Sequence, residues 1–397
     1  MTSPNHGRWR LPDGIEEVLP AAAWELEQLR HQVLDLYASW GYDLVIPPLI
    51  EYLDSLLIGA GHDLDLDTCK LVDQVSGRMM GVRADMTPQV ARIDAHRLDR
   101  EAPTRLCYLG AVLHARPGPF GGSRSPLQLG AELFGHTGMA ADLEVIELLL
   151  ATLGEVGIDR GITLDLGHVG IVRGIADHCG LGTAERERLI EMLQRKSLPE
   201  IEAYLDELEL KPEQARMWRA LGSLHGDRNI ITAAREAFAD AGDDVVAALD
   251  HLDRVGERIG AHAPGVTLHF DPAELRGYHY HTGMVFTVYI GDTAIEIARG
   301  GRYDGVGAAF GRSRPATGFS TDLRLLAEFG TPAVQPVGGG IAAPAEDDPA
   351  LAARIRELRA AGERVIVMLP GQEADEVDMG CDRRLIRSAD DWQLEEI

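Results

Sequence analysis

The sequence predicts an α+β protein: a mostly antiparallel sheet flanked by helices, a helical insertion, and a small α/β C-terminal tail. Three observations carry that prediction. Short apolar or alternating segments bounded by Gly and Pro recur between residues 42 and 135, at 163–168 and again from 267, as strands do. From about Ile171 to Ile259 those signals vanish and Leu/Ala/Glu-rich helical patterns replace them. After Thr331 a Gly/Pro-rich linker precedes a strand–helix–strand pattern. The expected organisation is a core over 1–330, holding the insertion at about 171–259, and a linker with a small α/β domain over 331–397.

The elements follow in order. From Glu16 to about Trp40, Leu19, Ala23, Leu26, Leu29, Val33, Leu36 and Tyr37 recur at helical spacing and run into a Gly41 stop. Residues 42–46 form a short strand closed by Pro47 and Pro48, which suit a strand end or an edge. Residues 51–58 read as helix, and Val72–Arg83 as a hairpin around Ser76 and Gly77. A helix starts within 84–93, with Asp85 or Thr87 as cap and Pro88 at its first position. Residues 105–113 form a buried strand, and a Gly/Pro-rich loop at 114–125 leads to a second strand over 126–135. Alternation there puts Gln128, Gly130 and Glu132 on one face. Residues 141–153 are helical, and 163–168 and 267–272 are strands. Arg276 to Tyr289 begins with a run of rings and then alternates as a strand; 298–305 is a glycine turn carrying Arg299 and Arg302. A last core helix covers 318–326. In the tail, 341–343, 364–369 and 383–386 read as strands and 349–361 as helix.

Composition narrows the class. With 397 residues, 45% of them hydrophobic, the chain can bury a large core and suggests two or three domains. No run of about 18 uncharged apolar residues occurs, which argues against a membrane span. The start, Met1 to His6, is polar and lacks an apolar signal region. Cys69, Cys107, Cys179 and Cys381 form no CxxC pair, so neither a zinc cluster nor a disulfide framework is expected, and a reduced cytoplasm fits. The net charge of −25 repels a phosphate backbone and disfavours a nucleic-acid partner. Only small parts, such as Arg299 to Arg314, look basic. The acidity otherwise reads as solubility or as the habit of a salt-adapted organism.

The chemistry concentrates on a few side chains. Asp85, Gln128 and Glu132 offer two carboxylates and an amide to one cavity, a receptor for an ammonium group. Arg276 suits a carboxylate or phosphate, because its fork donates bidentately. As a strand, 276–289 puts Tyr278 and Tyr280 on one face and His279 and His281 on the other. A ligand with ammonium, carboxylate and a flat ring would satisfy all of these; a strand with one hydrated and one packed face explains the same pattern. His279 and His281 lack a third ligand in register, so no metal is expected. No cofactor is implied, and no Ser-His-Asp or Cys-His set is evident in local sequence.

These residues also carry a family resemblance. From about Leu11 to Leu326 the chain resembles the catalytic core of class II histidyl-tRNA synthetase. Arg83-Ala-Asp-Met-Thr87 resembles the Arg-x-Asp-x-Thr segment that holds the amino acid, and Gln128 to Gly135 resembles the second strand of motif 2. Arg276 to Thr282 resembles the histidine-specific loop, normally Arg-Gly-Leu-Asp-Tyr-Tyr, and Gly300 to Gly305 the family's glycine turn. The insertion falls where that family carries one. The resemblance therefore implies a class II aminoacyl-tRNA synthetase-like core.

The departures are as informative. Where motif 2 carries an Arg for the ATP α-phosphate this chain has His114, and where motif 3 carries one for the γ-phosphate it has Leu325. Arg324 is one residue off, about 100° round a helix, and Arg124 is a candidate substitute. Tyr278, His279 and His281 replace Leu, Asp and Tyr of the specificity loop. The tail is shorter than a full anticodon-binding domain. A synthetase core with an eroded ATP site resembles the family of ATP phosphoribosyltransferase regulatory subunits, the synthetase paralogues of histidine biosynthesis. That resemblance implies an allosteric subunit without catalysis of its own. It implies a homodimer through the core that binds a short catalytic subunit, which handles ATP and phosphoribosyl pyrophosphate. Histidine is the implied ligand, at Asp85, Thr87, Gln128, Glu132, Arg276, Tyr280 and His281. The alternatives are an active histidyl-tRNA synthetase-like amino-acid-activating enzyme and a tRNA-binding module without catalysis.

Overall fold

The computed structural model describes residues 10–58, 62–117, 123–291, 295–331, 339–371, 379–388 and 391–397. The chain divides into two compact units, one of Met1–Val18 with Leu26–Pro332, the other of Leu19–Glu25 with Ala333–Ile397. The linker expected at 331–340 lies mostly outside the described residues.

The first unit takes α1 (Pro20–Ser39) from Leu26 onward, the part that buries Leu29, Val33 and Tyr37. There follow β1 (Asp43–Leu44), β2 (Ile50–Tyr52), α2 (Leu53–Leu56), α3 (His62–Asp67), β3 (Cys69–Val72) and β4 (Met79–Val82). α4 (Thr87–Arg92) continues into a π-helical turn, Ile93–Leu98, that ends at Asp99 in the left-handed region. β5 (Thr104–Ala111), β6 (Leu127–Phe134), α5 (Met139–Glu155) and β7 (Ile162–His168) come next. Six helices then run consecutively: α6 (Val169–His178), α7 (Thr183–Gln194), α8 (Leu198–Glu207), α9 (Pro212–Ser223), α10 (Asn229–Ala237) and α11 (Asp243–His262). β8 (Thr267–Phe270), β9 (Met284–Ile290), β10 (Ile295–Arg302), β11 (Ala316–Asp322) and α12 (Leu323–Phe329) complete the unit.

Eight of these strands form one sheet in the order β1-β5-β6-β11-β10-β9-β7-β8. All pairs are antiparallel except the two at the edges, β1/β5 and β7/β8. β2, β4 and β3 make a small separate sheet. α5, α11 and α1 bury one continuous apolar core that includes Leu129, Leu149, Leu166, Leu252 and Phe286. The second unit contains β12 (Gly340–Ala343), α13 (Pro349–Ala360), β13 (Val365–Val367), β14 (Cys381–Ser388) and β15 (Asp391–Glu396), in the order β13-β12-β14-β15. Ile341, Leu351, Leu385 and Trp392 form its core.

Four local expectations are corrected. The segment 51–58 is strand through Tyr52 and helical only over Leu53–Leu56, because Ile50–Tyr52 pairs with β4. Residues 276–282 are a turn, not a strand: Gly277 adopts φ +64°, and its carbonyl accepts from the amides of Tyr280 and His281. The supposed faces of alternating Tyr and His therefore do not exist. Gly300 and Gly301 lie inside β10 rather than in a turn. A Cβ on Gly300 would strike the Phe286 ring, so the glycine answers to close packing across strands. Finally, 318–322 is strand, and the helix begins only at Leu323, where the Asp322 carboxylate accepts from the Arg324 amide 3.0 Å away.

A buried ion group ties the sheet to its helices. Asp142 of α5, 1% exposed, takes Arg302 of β10 at 2.9 Å and stands 3.1 Å from His251 Nε2 of α11. Burial raises the Asp142 pKa, but His251 and Arg302 together hold it below the usual carboxylate value. Asp142→Ala leaves Arg302 buried without that counter-charge. It is expected to lose about 3–5 kcal/mol of stability, read as a lower urea midpoint at an unchanged denaturant slope.

Candidate functional site

The site is built on β6 and the turn before α4. Gln128 and Glu132 share a face of β6, as alternation requires, and both are buried. The Gln128 amide donates to Asp85 at 2.7 Å and accepts from the Met86 amide at 2.9 Å. The same Asp85 oxygen accepts from the Thr87 amide at 3.0 Å, so Asp85 serves the first turn of α4 from two residues upstream. The Thr87 hydroxyl stands 3.0 Å from that of Tyr108, and Tyr108 donates to Glu132 at 3.0 Å. Tyr303 donates to the second Glu132 oxygen. The Tyr280 ring stacks on Tyr303 with centroids 5.0 Å apart. One network thus joins Asp85, Thr87, Gln128, Glu132 and, through Tyr303, Tyr280.

Burial sets its electrostatics. Glu132 is 1% exposed, and desolvation pushes its pKa up to about 8, against two phenol donors that lower it; nearby Asp85 raises it further. The Tyr280 hydroxyl is buried and, among the described residues, has no hydrogen-bond partner. An unsatisfied buried hydroxyl costs about 1–3 kcal/mol, which a polar ligand group would offset. The network thus sets a carboxyl with a raised pKa and an unpartnered hydroxyl near a second carboxylate and an amide.

Two predicted residues stand apart. Arg276 is half-exposed; its guanidinium meets the Tyr289 hydroxyl and lies 3.3 Å from Glu296 and 4.0 Å from Glu274. It makes no described bond to the Glu132 network. His281 lies edge-on to Tyr280, its Nδ1 3.3 Å from the Arg302 carbonyl, and burial pushes its pKa down to about 4. A Cβ on Gly301 would touch this ring, which explains a glycine there. Among the described residues no three His, Cys, Asp or Glu side chains are grouped to hold a metal.

The positions set against the ATP face are occupied by structure. His114 Nε2 is 3.1 Å from the Ala84 carbonyl. Leu325 packs against the main apolar core. Arg124 donates to the backbone of His114 (2.9 Å) and Asp13 (3.3 Å). Arg324 has a buried Nε without a hydrogen-bond partner among the described residues. Elsewhere, a cleft beside α10 carries Arg228 and Arg235, which pair with Asp253 and Asp250.

Sequence reasoning missed Tyr108, and it quoted Tyr303 in its motif without giving it a role. The signal for Tyr108 was a register: it stands opposite Gly130, where a Cβ would strike its hydroxyl. That register is invisible without the pairing.

Comparison with known proteins adds the family. The family model for histidyl-tRNA synthetase matches residues 14–326, and that for the ATP phosphoribosyltransferase subunit HisZ C-terminal domain matches 338–395. An ATP phosphoribosyltransferase regulatory subunit of Thioalkalivibrio sulfidiphilus is 54% identical over 398 residues, covering 100% of both chains. The chain belongs to the ATP phosphoribosyltransferase regulatory subunit family. A member from Pseudomonas syringae pv. tomato is 52% identical over 98% of both chains. The crystal structure of an ATP phosphoribosyltransferase regulatory subunit/histidyl-tRNA synthetase from Bacillus halodurans superposes with a TM-score of 0.82 at 28% identity, over 94% of this chain and 96% of that one. A histidyl-tRNA synthetase from Nostoc shares the fold, with a TM-score of 0.76 at 18% identity over 98% and 95% of the two chains. The class II synthetase-like core expected from the motifs is thus the fold of the family. Among the described residues no helix is long and apolar enough to cross a membrane.

The Glu132 proton gives the site a measurable signature. Folded, Glu132 holds it to about pH 8; unfolded, it releases it near 4.5. The folded state binds more protons between those values, so stability falls as pH rises across that window. In Glu132→Gln the decline of Tm from about pH 5 to about pH 8 should be shallower than in the wild type. Equal slopes would assign Glu132 an ordinary carboxylate pKa.

Proposed function

We infer that this chain is the non-catalytic regulatory subunit of ATP phosphoribosyltransferase, which activates a short catalytic subunit in the first step of histidine biosynthesis and carries a feedback site for histidine. The observation that carries the reading is a contrast: a hydrogen-bonded, largely buried network at Asp85, Gln128 and Glu132, against His114 and Leu325 at the positions where the synthetases carry ATP-binding arginines. The histidine ammonium meets Asp85 and Gln128, and its imidazole meets Glu132 and the free Tyr280 hydroxyl. For Arg276 to take the carboxylate it must leave Glu296, an exchange of one anion for another. Without arginines at 114 and 325 a triphosphate loses charge-assisted contacts, so the ligand is bound and not activated.

A homodimer through the core is part of the reading. The exposed Leu44, Ile46, Leu49, Ile50 and Met79 surround the edge strand β1 and the small sheet, a surface that suits a second copy. The catalytic subunit would join that dimer in the cytoplasm.

Calorimetry with L-histidine, on the chain alone and with a short phosphoribosyltransferase chain, tests the function. Binding should be measurable, and histidine should inhibit the complex. No binding together with no effect on partner activity would sink the proposal. Amino-acid-dependent pyrophosphate–ATP exchange should be absent; its presence would establish the activating enzyme instead.

A further inference from the structure

The ligand turn is held from its far side by the helical insertion. Arg173 of α6 donates from one Nη2 to the carbonyls of Tyr278 and His281, both at 2.7 Å, and its guanidinium carbon lies 4.8 Å from the Tyr278 ring centroid. Those two carbonyls flank Tyr280 in the sequence. Gln194, the last residue of α7, donates to the Leu275 carbonyl at 3.1 Å. Lys196, just after α7, pairs with the buried Asp271 carboxylate. Gly226, between α9 and α10, exchanges both backbone hydrogen bonds with Phe270. The segment from Phe270 to His281 is therefore pinned at successive points by helices that supply nothing to the Glu132 network themselves.

The same segment also carries the ring that reaches the Glu132 network. Tyr280 lies on Tyr303, which donates to Glu132. A turn with a left-handed glycine and few strand bonds has little to fix it on its own. Two charge-assisted bonds from one planar group fix the 278–279 and 281–282 peptides, one residue outside each peptide of Tyr280, and so hold both ends of the short span that carries its ring.

We propose that Arg173 is a positioning residue for the ligand pocket: through the carbonyls of Tyr278 and His281 it fixes Tyr280, so the helical insertion sets the affinity of the site. This rests on the amino-acid-binding reading given above. The insertion acquires a role in the same step, because a partner that moves α6 or α7 moves the ligand turn.

The experiment uses the full chain with L-histidine as probe. Arg173→Ala should raise the Kd about tenfold, and Arg173→Lys, which keeps a cationic donor, should recover most of that loss. Hydrogen exchange should quicken at residues 276–282 in Arg173→Ala and return toward the wild-type rate at saturating histidine, while α8 to α10 stay unchanged. A general loss of structure would not be rescued by lysine and would not be confined to that segment. Should Arg173→Ala fail to fold, Gln194→Ala removes a single bond and should weaken binding about threefold. A folded Arg173→Ala with wild-type Kd and wild-type exchange overturns the proposal, as does Arg173→Lys no better than alanine. Wild-type protein that binds no histidine overturns the ligand reading instead; the exchange comparison at 276–282 then decides the positioning role by itself.

Discussion

Glu132 sits in the middle of an antiparallel strand with its carboxyl over Gly318, out of reach of water, and much of the surrounding sequence serves to satisfy it. A side chain on Gly318 would fall on the carboxylate, so the neighbouring strand must be bare there. Two phenols arrive from different places, Tyr108 from β5 and Tyr303 just after β10, and each donates to one oxygen. Gly130 makes room for Tyr108 on the same face. Leaving any of these groups unpaired would cost about 1–3 kcal/mol, a large share of a domain's net stability. The network is therefore a constraint on four strands at once.

The cations show a complementary economy. Arg302 is committed to Asp142, Arg314 to Asp94 at 2.7 Å, and Arg83 to the carbonyls of Pro47 and Ala111. These guanidiniums stitch strands and loops together in the interior. A triphosphate needs cations that can turn toward it. Arg124 is occupied by backbone carbonyls, and Arg324 lies on a helix whose next residue is packed against the core. The acidic balance of the chain fits the same picture, with arginine spent on cohesion and little left for an anionic ligand.

Regular elements were legible in the sequence wherever one periodicity ruled. The strands at 105–113 and 126–135, the helical run after 169 and the small α/β tail announce themselves by apolar spacing. Failures came where the backbone obeyed a partner instead. Gly277 turns the ring-rich stretch that alternation presented as a strand, and Gly300 and Gly301 stay in a strand because a neighbour crowds them. Asp85, Gln128 and Glu132 could be grouped in advance because two share a strand face and the third caps a helix beside them, and the structure links them in one network. Arg276 was assigned by the chemistry of its fork, yet Tyr289 and Glu296 hold it away from the network. Tyr108 and Arg173 act through contacts 24 and 105 residues distant in the chain. No local pattern encodes such contacts.

The parallel pairing of β7 with β8 carries a topological consequence. Parallel neighbours cannot be joined by a hairpin; the chain must leave the sheet and cross back over it. The six-helix insertion is that compulsory crossover, grown far beyond the dozen or so residues such a link requires. α6 leaves directly from β7, and α11 lies against β7 and α5 on the way back, so these two helices do the geometric work. The helices between them are free of that duty. Even so, α7 and the link between α9 and α10 stay bonded to the end of β8 and the segment after it, through Gln194, Lys196 and Gly226.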